Sequence, residues 1–184
     1  MVAKQCILIL GGVRSGKSSF AQELAARLSD NVLFVATGEA LDKEMQARIE
    51  RHKESRSKGW RTLETPTAIG REIKEQAGNA EVVVIDCLTL LVSNLICTEI
   101  RNELNYQQVE KRVANEVDEL ISCMNSLDLC FIIVSNEVGM GVVPETELGR
   151  IYRDLLGKAN QSVASFADEV YFLVAGMPLQ IKQK

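Results

Sequence analysis

CILILGGVRSGKSSF (6–20) opens with five apolar residues, turns through a glycine-rich stretch, and then enters a segment of helical period that runs to about Leu28. The order is strand, turn, helix. Inside it, GGVRSGKS (11–18) fits the spacing G-x-x-x-x-G-K-[ST], with Gly11, Gly16, Lys17 and Ser18 at the specified places. Glycines let a loop curl until successive backbone N–H groups point inward at phosphate oxygens, and the following helix dipole adds positive potential there. The candidate cradle is therefore the run Gly11, Gly12, Val13, Arg14, Ser15, Gly16, Lys17 and Ser18. Lys17 is placed to reach the β- and γ-phosphates, and Ser18 to offer its hydroxyl to Mg²⁺. On average residue usage a chance match in a chain this long is on the order of 1% or less.

Working outward, apolar runs of strand length alternate with longer segments of helical period, the order of an α/β fold with a mainly parallel sheet flanked by helices. VLFVA (32–36) reads as a second strand ending at Thr37 and Gly38, and EVVVI (81–85) as a strand buried on both faces. CFIIVS (130–135) reads as the fourth. Polar helices are predicted from about Asp42 to Arg56 and from Thr67 to Gln76. LTLLVSNLI is apolar nearly all round and reads as a buried helix. Tyr106, Val109, Val113, Val117, Leu120, Ile121 and Met124 mark the apolar face of the next helix, and Leu148, Ile151, Tyr152, Leu155, Ala159 and Val163 that of the last. NEVGMGVVP (136–144) is a glycine-rich loop closed by proline, and EVYFLVA (169–175) and LQIK (179–182) finish the chain as two strands, with antiparallel pairing open to them. This is the expectation for a P-loop NTPase of RecA-like architecture.

At 184 residues, with no repeat or linker, the chain reads as one nucleotide-binding catalytic domain over 1–184. A composition 46% hydrophobic and 25% charged suits a globular protein, and the apolar runs are too short for membrane insertion. The net charge of −4 argues against nucleic acid as a partner, so an anion must be held by a local site. Glycines interrupt MVAKQCILILGG before it can form a secretory signal, and the expected location is cytoplasmic. Cys6, Cys87, Cys97, Cys123 and Cys130 include no C-x-x-C pair, and with a single histidine there is no zinc pattern. They read as reduced thiols, mostly small core hydrophobes.

Asp86 follows EVVVI at the carboxyl end of a buried strand. There it completes a P-loop site by holding Mg²⁺ directly or through water, or else it caps the following helix. The phosphate loop favours the metal role. Switch GTPases read guanine with N-K-x-D after a late strand, whereas VSNEVG here lacks the lysine and aspartate. The D-x-x-G match at Asp154 to Gly157 falls inside the predicted last helix. A signalling switch is disfavoured.

The only histidine, His52, lies in RIERHKESRSKGW (48–60) with Arg48 and Arg56 four residues to either side. At about 100° per residue, Leu41, Met45, Ile49 and His52 share one helical sector, which fits a packing residue at the end of an apolar stripe. The arginines turn that stripe basic. Such an end suits phosphate recognition, and a neutral imidazole nitrogen can attack phosphorus and form a covalent intermediate. Both readings stand on the residues alone.

GGVRSGKS (11–18), RIERHKESRSKGWRTLE (48–64) and SNEVGMGVVPE (135–145), in that order, closely resemble the bifunctional adenosylcobinamide kinase/adenosylcobinamide-phosphate guanylyltransferase family. The resemblance runs through nearly the whole chain. It departs at Arg51, where some members carry a second histidine, and at Ser57, where proline is common. The resemblance implies an enzyme of cobalamin biosynthesis and salvage. Such an enzyme phosphorylates the aminopropanol hydroxyl of adenosylcobinamide with GTP or ATP, then transfers GMP from GTP to the phosphate, giving adenosylcobinamide-GDP and pyrophosphate. It further implies that His52 accepts GMP, that Lys17 and Asp86 are catalytic, and that Ser18 and Asp86 hold a substrate-bridged Mg²⁺. Ala36, Thr37, Gly38, Lys53, Glu54, Ser55, Arg56, Glu64 and Asp86 are implied as nucleotide contacts beyond the loop, and a homotrimer as the assembly. The alternatives are a small-molecule P-loop kinase without guanylyl transfer and a nucleotide-gated binding module without turnover.

Overall fold

A computed structural model describes residues 2–39, 57, 59–101 and 105–183. The predicted polar helix from Asp42 to Arg56, with His52, Lys53, Glu54, Ser55 and Arg56, lies outside the described residues. The chain runs β1 (Gln5–Gly11), α1 (Lys17–Leu28), β2 (Val32–Ala36), β3 (Arg61–Glu64), α2 (Ile69–Gln76), β4 (Val82–Asp86) and α3 (Leu88–Arg101). It continues through α4 (Tyr106–Ser126), β5 (Cys130–Val134), α5 (Glu147–Phe166), β6 (Glu169–Val174) and β7 (Met177–Gln183).

The strands form one sheet in the order β3-β2-β4-β5-β1-β6-β7. Every pairing is parallel except β6 with β7, which is antiparallel. That arrangement follows from the connections. Each parallel neighbour is reached by a long crossover, whereas β6 and β7 are separated only by the turn Ala175-Gly176, which permits nothing but a hairpin.

The central strands are apolar on both faces because both faces are covered. On one face α2, α3, α4 and α5 pack over Leu8, Val35, Val83, Ile85 and Ile133. On the other, α1 seats Ala21 and Ala25 against Ile7, Ile9, Val84, Ile132 and Val134. Small residues there bring the helix close to the sheet, so its N-terminus stands directly beyond the end of β1. Trp60 packs on the α1 face, its ring stacked on Phe34 with centroids 6.4 Å apart.

The structure corrects the sequence reading in three places. RTLE (61–64) forms the edge strand β3, which no strand prediction covered; only Leu63 is buried, so the segment carries almost no apolar signal. Tyr106 and Leu148, assigned to apolar helix faces, are exposed, each in the first turn of its helix. Cys97 is exposed and Cys87 half-buried, while Cys6, Cys123 and Cys130 are core residues as expected. Among the described residues no helix is long and apolar enough to cross a membrane.

Candidate active site

The loop between β1 and α1 curls through three positive φ angles, Gly11 at 152°, Arg14 at 57° and Gly16 at 95°. Two of these positions demand glycine for more than their angle. A Cβ on Gly11 would stand 2.6 Å from the Leu173 carbonyl oxygen and 2.7 Å from Ser15 Oγ, and one on Gly16 would stand 3.3 Å from Gly176 Cα. The loop is thus packed from outside by the β6–β7 turn, whose Gly176 N–H donates to the Ser15 carbonyl at 3.0 Å. Gly16 carries no side chain to cap α1, so the first-turn N–H groups are left to an incoming anion.

Lys17 is buried inside the curl and donates from Nζ to the Gly12 carbonyl at 2.6 Å, with Ser15 Oγ at 3.5 Å. Ser18 is half-buried in the first turn of α1, and Gly12, Val13 and Arg14 form the exposed outer rim.

Register explains the grouping of the other predicted residues. Ala36 lies level with Asp86 on β4 and with Glu64 on β3. Side chains alternate along each strand, and Val84 and Phe34 face α1 while Leu63 faces away from it. Asp86, Ala36 and Glu64 therefore form a row on the α1 face, at the carboxyl edge where the phosphate loop opens. This is the crevice in which open α/β sheets bind ligands. Thr37 points the other way and is fully buried. Its Oγ1 donates to the Cys87 carbonyl at 2.7 Å and accepts from the Cys87 N–H at 2.8 Å, tying the ends of β2 and β4 together. Asn94 on α3 donates to the Thr37 carbonyl at 2.8 Å and to the Pro66 carbonyl at 3.1 Å. Thr37 thus serves as a bracket that fixes Asp86, while Gly38 continues the loop beyond it.

The Asp86 carboxylate is half-exposed and makes no hydrogen bond or ion pair to a described residue. The peptide bond to Cys87 is cis. Burial, and then the neighbouring Asp86 charge, push the Cys87 thiol up to about 11, so it stays protonated and is no nucleophile at neutral pH. Among the described residues no cluster of three or more His, Cys, Asp or Glu side chains could hold a metal by itself. An uncommitted carboxylate and a serine hydroxyl nonetheless suit Mg²⁺, which keeps its waters and takes one or two protein ligands with substrate phosphates.

Sequence reasoning missed Asn136. It follows β5, between the phosphate loop and Asp86, and only the sheet order reveals that position.

Comparison with known proteins agrees with this geometry. Residues 7–181 match the profile of the family described as cobinamide kinase / cobinamide phosphate guanyltransferase. The chain is 39% identical over 180 residues to the bifunctional adenosylcobalamin biosynthesis protein CobU of Escherichia coli (strain K12), covering 96% of this chain and 99% of that one. It is 40% identical over 176 residues to the bifunctional adenosylcobalamin biosynthesis protein CobP of Pseudomonas aeruginosa, covering 95% and 96%. Among solved structures, a type III secretion system ATPase of pathogenic bacteria superposes with a TM-score of 0.60 at 13% identity. That match covers 94% of this chain and 51% of the ATPase, about half its length, and shows the P-loop ATPase fold alone.

Proposed function

Since this chain belongs to the cobinamide kinase / cobinamide phosphate guanyltransferase family, we propose that its single phosphate loop serves two successive reactions on one acceptor. In the first, the aminopropanol hydroxyl of adenosylcobinamide attacks the γ-phosphorus of GTP or ATP; the new O–P bond forms as the bond to the departing nucleoside diphosphate breaks. The loop amides and Lys17 balance the charge on the transferring group, and Ser18 and Asp86 are the residues that would hold Mg²⁺. When bound, that ion supplies further positive charge to the phosphates. The carrying observation is the convergence of Lys17, the free α1 terminus and the uncommitted Asp86 carboxylate on one edge of the sheet.

In the second reaction a neutral imidazole nitrogen of His52 attacks the α-phosphorus of GTP and expels pyrophosphate. The cobinamide phosphate oxygen then takes the GMP and releases the imidazole. Imidazole suits both displacements because its pKa lies near neutral pH. Ala36 and Trp60, which precede and follow the His52 segment in the chain, both stand on the α1 face, and this supports the reading. Lys53, Glu54, Ser55, Arg56, Glu64, Ala36 and Gly38 are read as further nucleotide contacts, whereas Thr37, buried on the other face, supports Asp86 from behind. The same reading takes residues 1–184 as one catalytic unit, cytoplasmic and homotrimeric, the last testable by light scattering.

Incubation with GTP should add the mass of GMP to the intact protein. The adduct should carry label from α-³²P GTP and none from γ-³²P GTP, survive mild alkali and be lost in acid. His52→Ala should abolish labelling while phosphorylation of cobinamide persists, and Lys17→Ala should lower phosphorylation by at least about tenfold, or 1.4 kcal/mol. Wild-type protein that never became labelled would leave the kinase alone; turnover independent of any acceptor would leave only a nucleotide-binding module.

A further inference from the structure

We propose that the side chain of Asn136 is a catalytic residue of the kinase step, its carboxamide donating to the phosphoryl group in transfer; the proposal rests on the reading of the phosphate loop given above. β5 lies between β1 and β4, so the backbone leaving it passes between the phosphate loop and Asp86. The ladder with β1 continues beyond Val134: Ser135 N–H donates to the Ile9 carbonyl at 2.9 Å and Glu137 N–H to the Gly11 carbonyl at 3.0 Å. Asn136 between them is turned to the other side, where its N–H donates to Thr89 Oγ1 at 2.7 Å. Its carbonyl accepts from Asn160 Nδ2 at 3.0 Å. Asn160 is held in turn by the fully buried Ser135, whose Oγ donates to Asn160 Oδ1 at 2.7 Å. Both backbone groups of Asn136 are thus committed to buried partners on α3 and α5.

The direction of its side chain follows from alternation. Ile133 and Ser135 face the four-helix side, whereas Ile132 and Val134 face α1. Asn136 is next in the second row and falls on the same face as α1 and Asp86. Asp86 pairs with Val134, so Asn136 stands two residues farther out along the strand direction, beyond the sheet edge. The carboxamide is half-exposed and makes no hydrogen bond to a described residue. A rigidly held backbone therefore carries an uncommitted pair of N–H donors to the space bounded by Lys17, Ser18 and Asp86. There a neutral donor stabilises charge on equatorial phosphoryl oxygens without repelling the incoming hydroxyl.

The test measures kinase kcat with adenosylcobinamide and GTP, GTP affinity, and melting temperature in Asn136→Ala and Asn136→Asp, with Lys17→Ala alongside. Removal of one preorganised donor predicts a fall in kcat of about a hundredfold in Asn136→Ala, with GTP affinity within about threefold. The isosteric aspartate should fall further than alanine, because its charge faces the phosphoryl group, while melting as the wild type does. A kcat within threefold of wild type in Asn136→Ala, or equal losses in kcat, GTP affinity and melting temperature, would overturn the proposal. If Lys17→Ala also kept full phosphorylation, the phosphate-loop reading would fall with it; if Lys17→Ala lost activity and Asn136→Ala did not, only the assignment of Asn136 would fall.

Discussion

Gly176 donates its backbone N–H to the Ser15 carbonyl at 3.0 Å, so the turn between the last two strands braces the phosphate loop near the start of the chain. Gly16 is caught between the two, at φ 95° and with room for a Cβ only 3.3 Å from Gly176 Cα. Gly16→Ala should therefore cost about 1–2 kcal/mol from the left-handed backbone alone and weaken GTP binding. Gly12 has open space around its Cβ position, and Gly12→Ala should leave urea stability nearly unchanged. Equal midpoints for the two variants would show that neither the left-handed angle at Gly16 nor the neighbouring turn constrains the loop.

Asp86→Asn should weaken Mg²⁺-dependent turnover more than it weakens folding. The amide keeps the shape of the side chain and loses the charge that favours the cation. No described residue depends on that carboxylate for a hydrogen bond, so melting should change little. A titration of activity against Mg²⁺ should move to higher concentration. Lost stability with unchanged Mg²⁺ dependence would favour the helix-capping role.

Glu116 on α4 is buried and accepts a hydrogen bond from the Ile69 N–H at 3.0 Å, at the start of α2. Burial raises its carboxyl above the usual carboxylate range, partly offset by that hydrogen bond and by Arg112. The folded state then holds the proton more tightly than the unfolded chain does. The stability this group contributes is fully present below about pH 4 and is lost as pH rises through the folded value. Glu116→Gln keeps the acceptor and removes the ionisation, so it should lose less stability than wild type between pH 4 and 7. Melting curves across that range check it, and a wild type that gained on the variant as pH rose would reverse the sign. Glu116→Ala strands the Ile69 N–H and should cost roughly 1–3 kcal/mol.

Alkylation of the native protein at pH 8 should be fast at one thiol. Cys97 is exposed, while Cys6, Cys123 and Cys130 are buried. Burial pushes Cys130 up to about 12, and burial with the Asp86 charge takes Cys87 to about 11. Peptide mapping after brief iodoacetamide treatment should find label on Cys97, with the other four modified only after denaturation. Rapid labelling of Cys87 would mean that the ground beneath Asp86 is wetter than this packing allows.

The amino-acid order alone determined those features whose causes are local. A buried parallel strand needs apolar residues on both faces, so β1, β2, β4 and β5 show as continuous runs. A phosphate loop needs glycine at left-handed angles and a lysine at the helix start, so Gly11, Gly16 and Lys17 could be read directly. The edge strand β3 could not. Its pairing comes from β2 across a long separation, and three of its four residues are exposed.

Tertiary structure alone decided which predicted residues meet. Ala36, Glu64 and Asp86 lie far apart in the chain and become one row because the register sets them level and the side-chain period of two turns them to the same face. It also divided neighbours. Thr37, adjacent to Ala36, points into the opposite layer and serves as a bracket. Asn136 gained its place from sheet order, because β5 is inserted between β1 and β4 although it follows both in sequence. Periodicity records what one segment prefers; register and strand order are set by the burial of many segments at once, and no single segment carries that information.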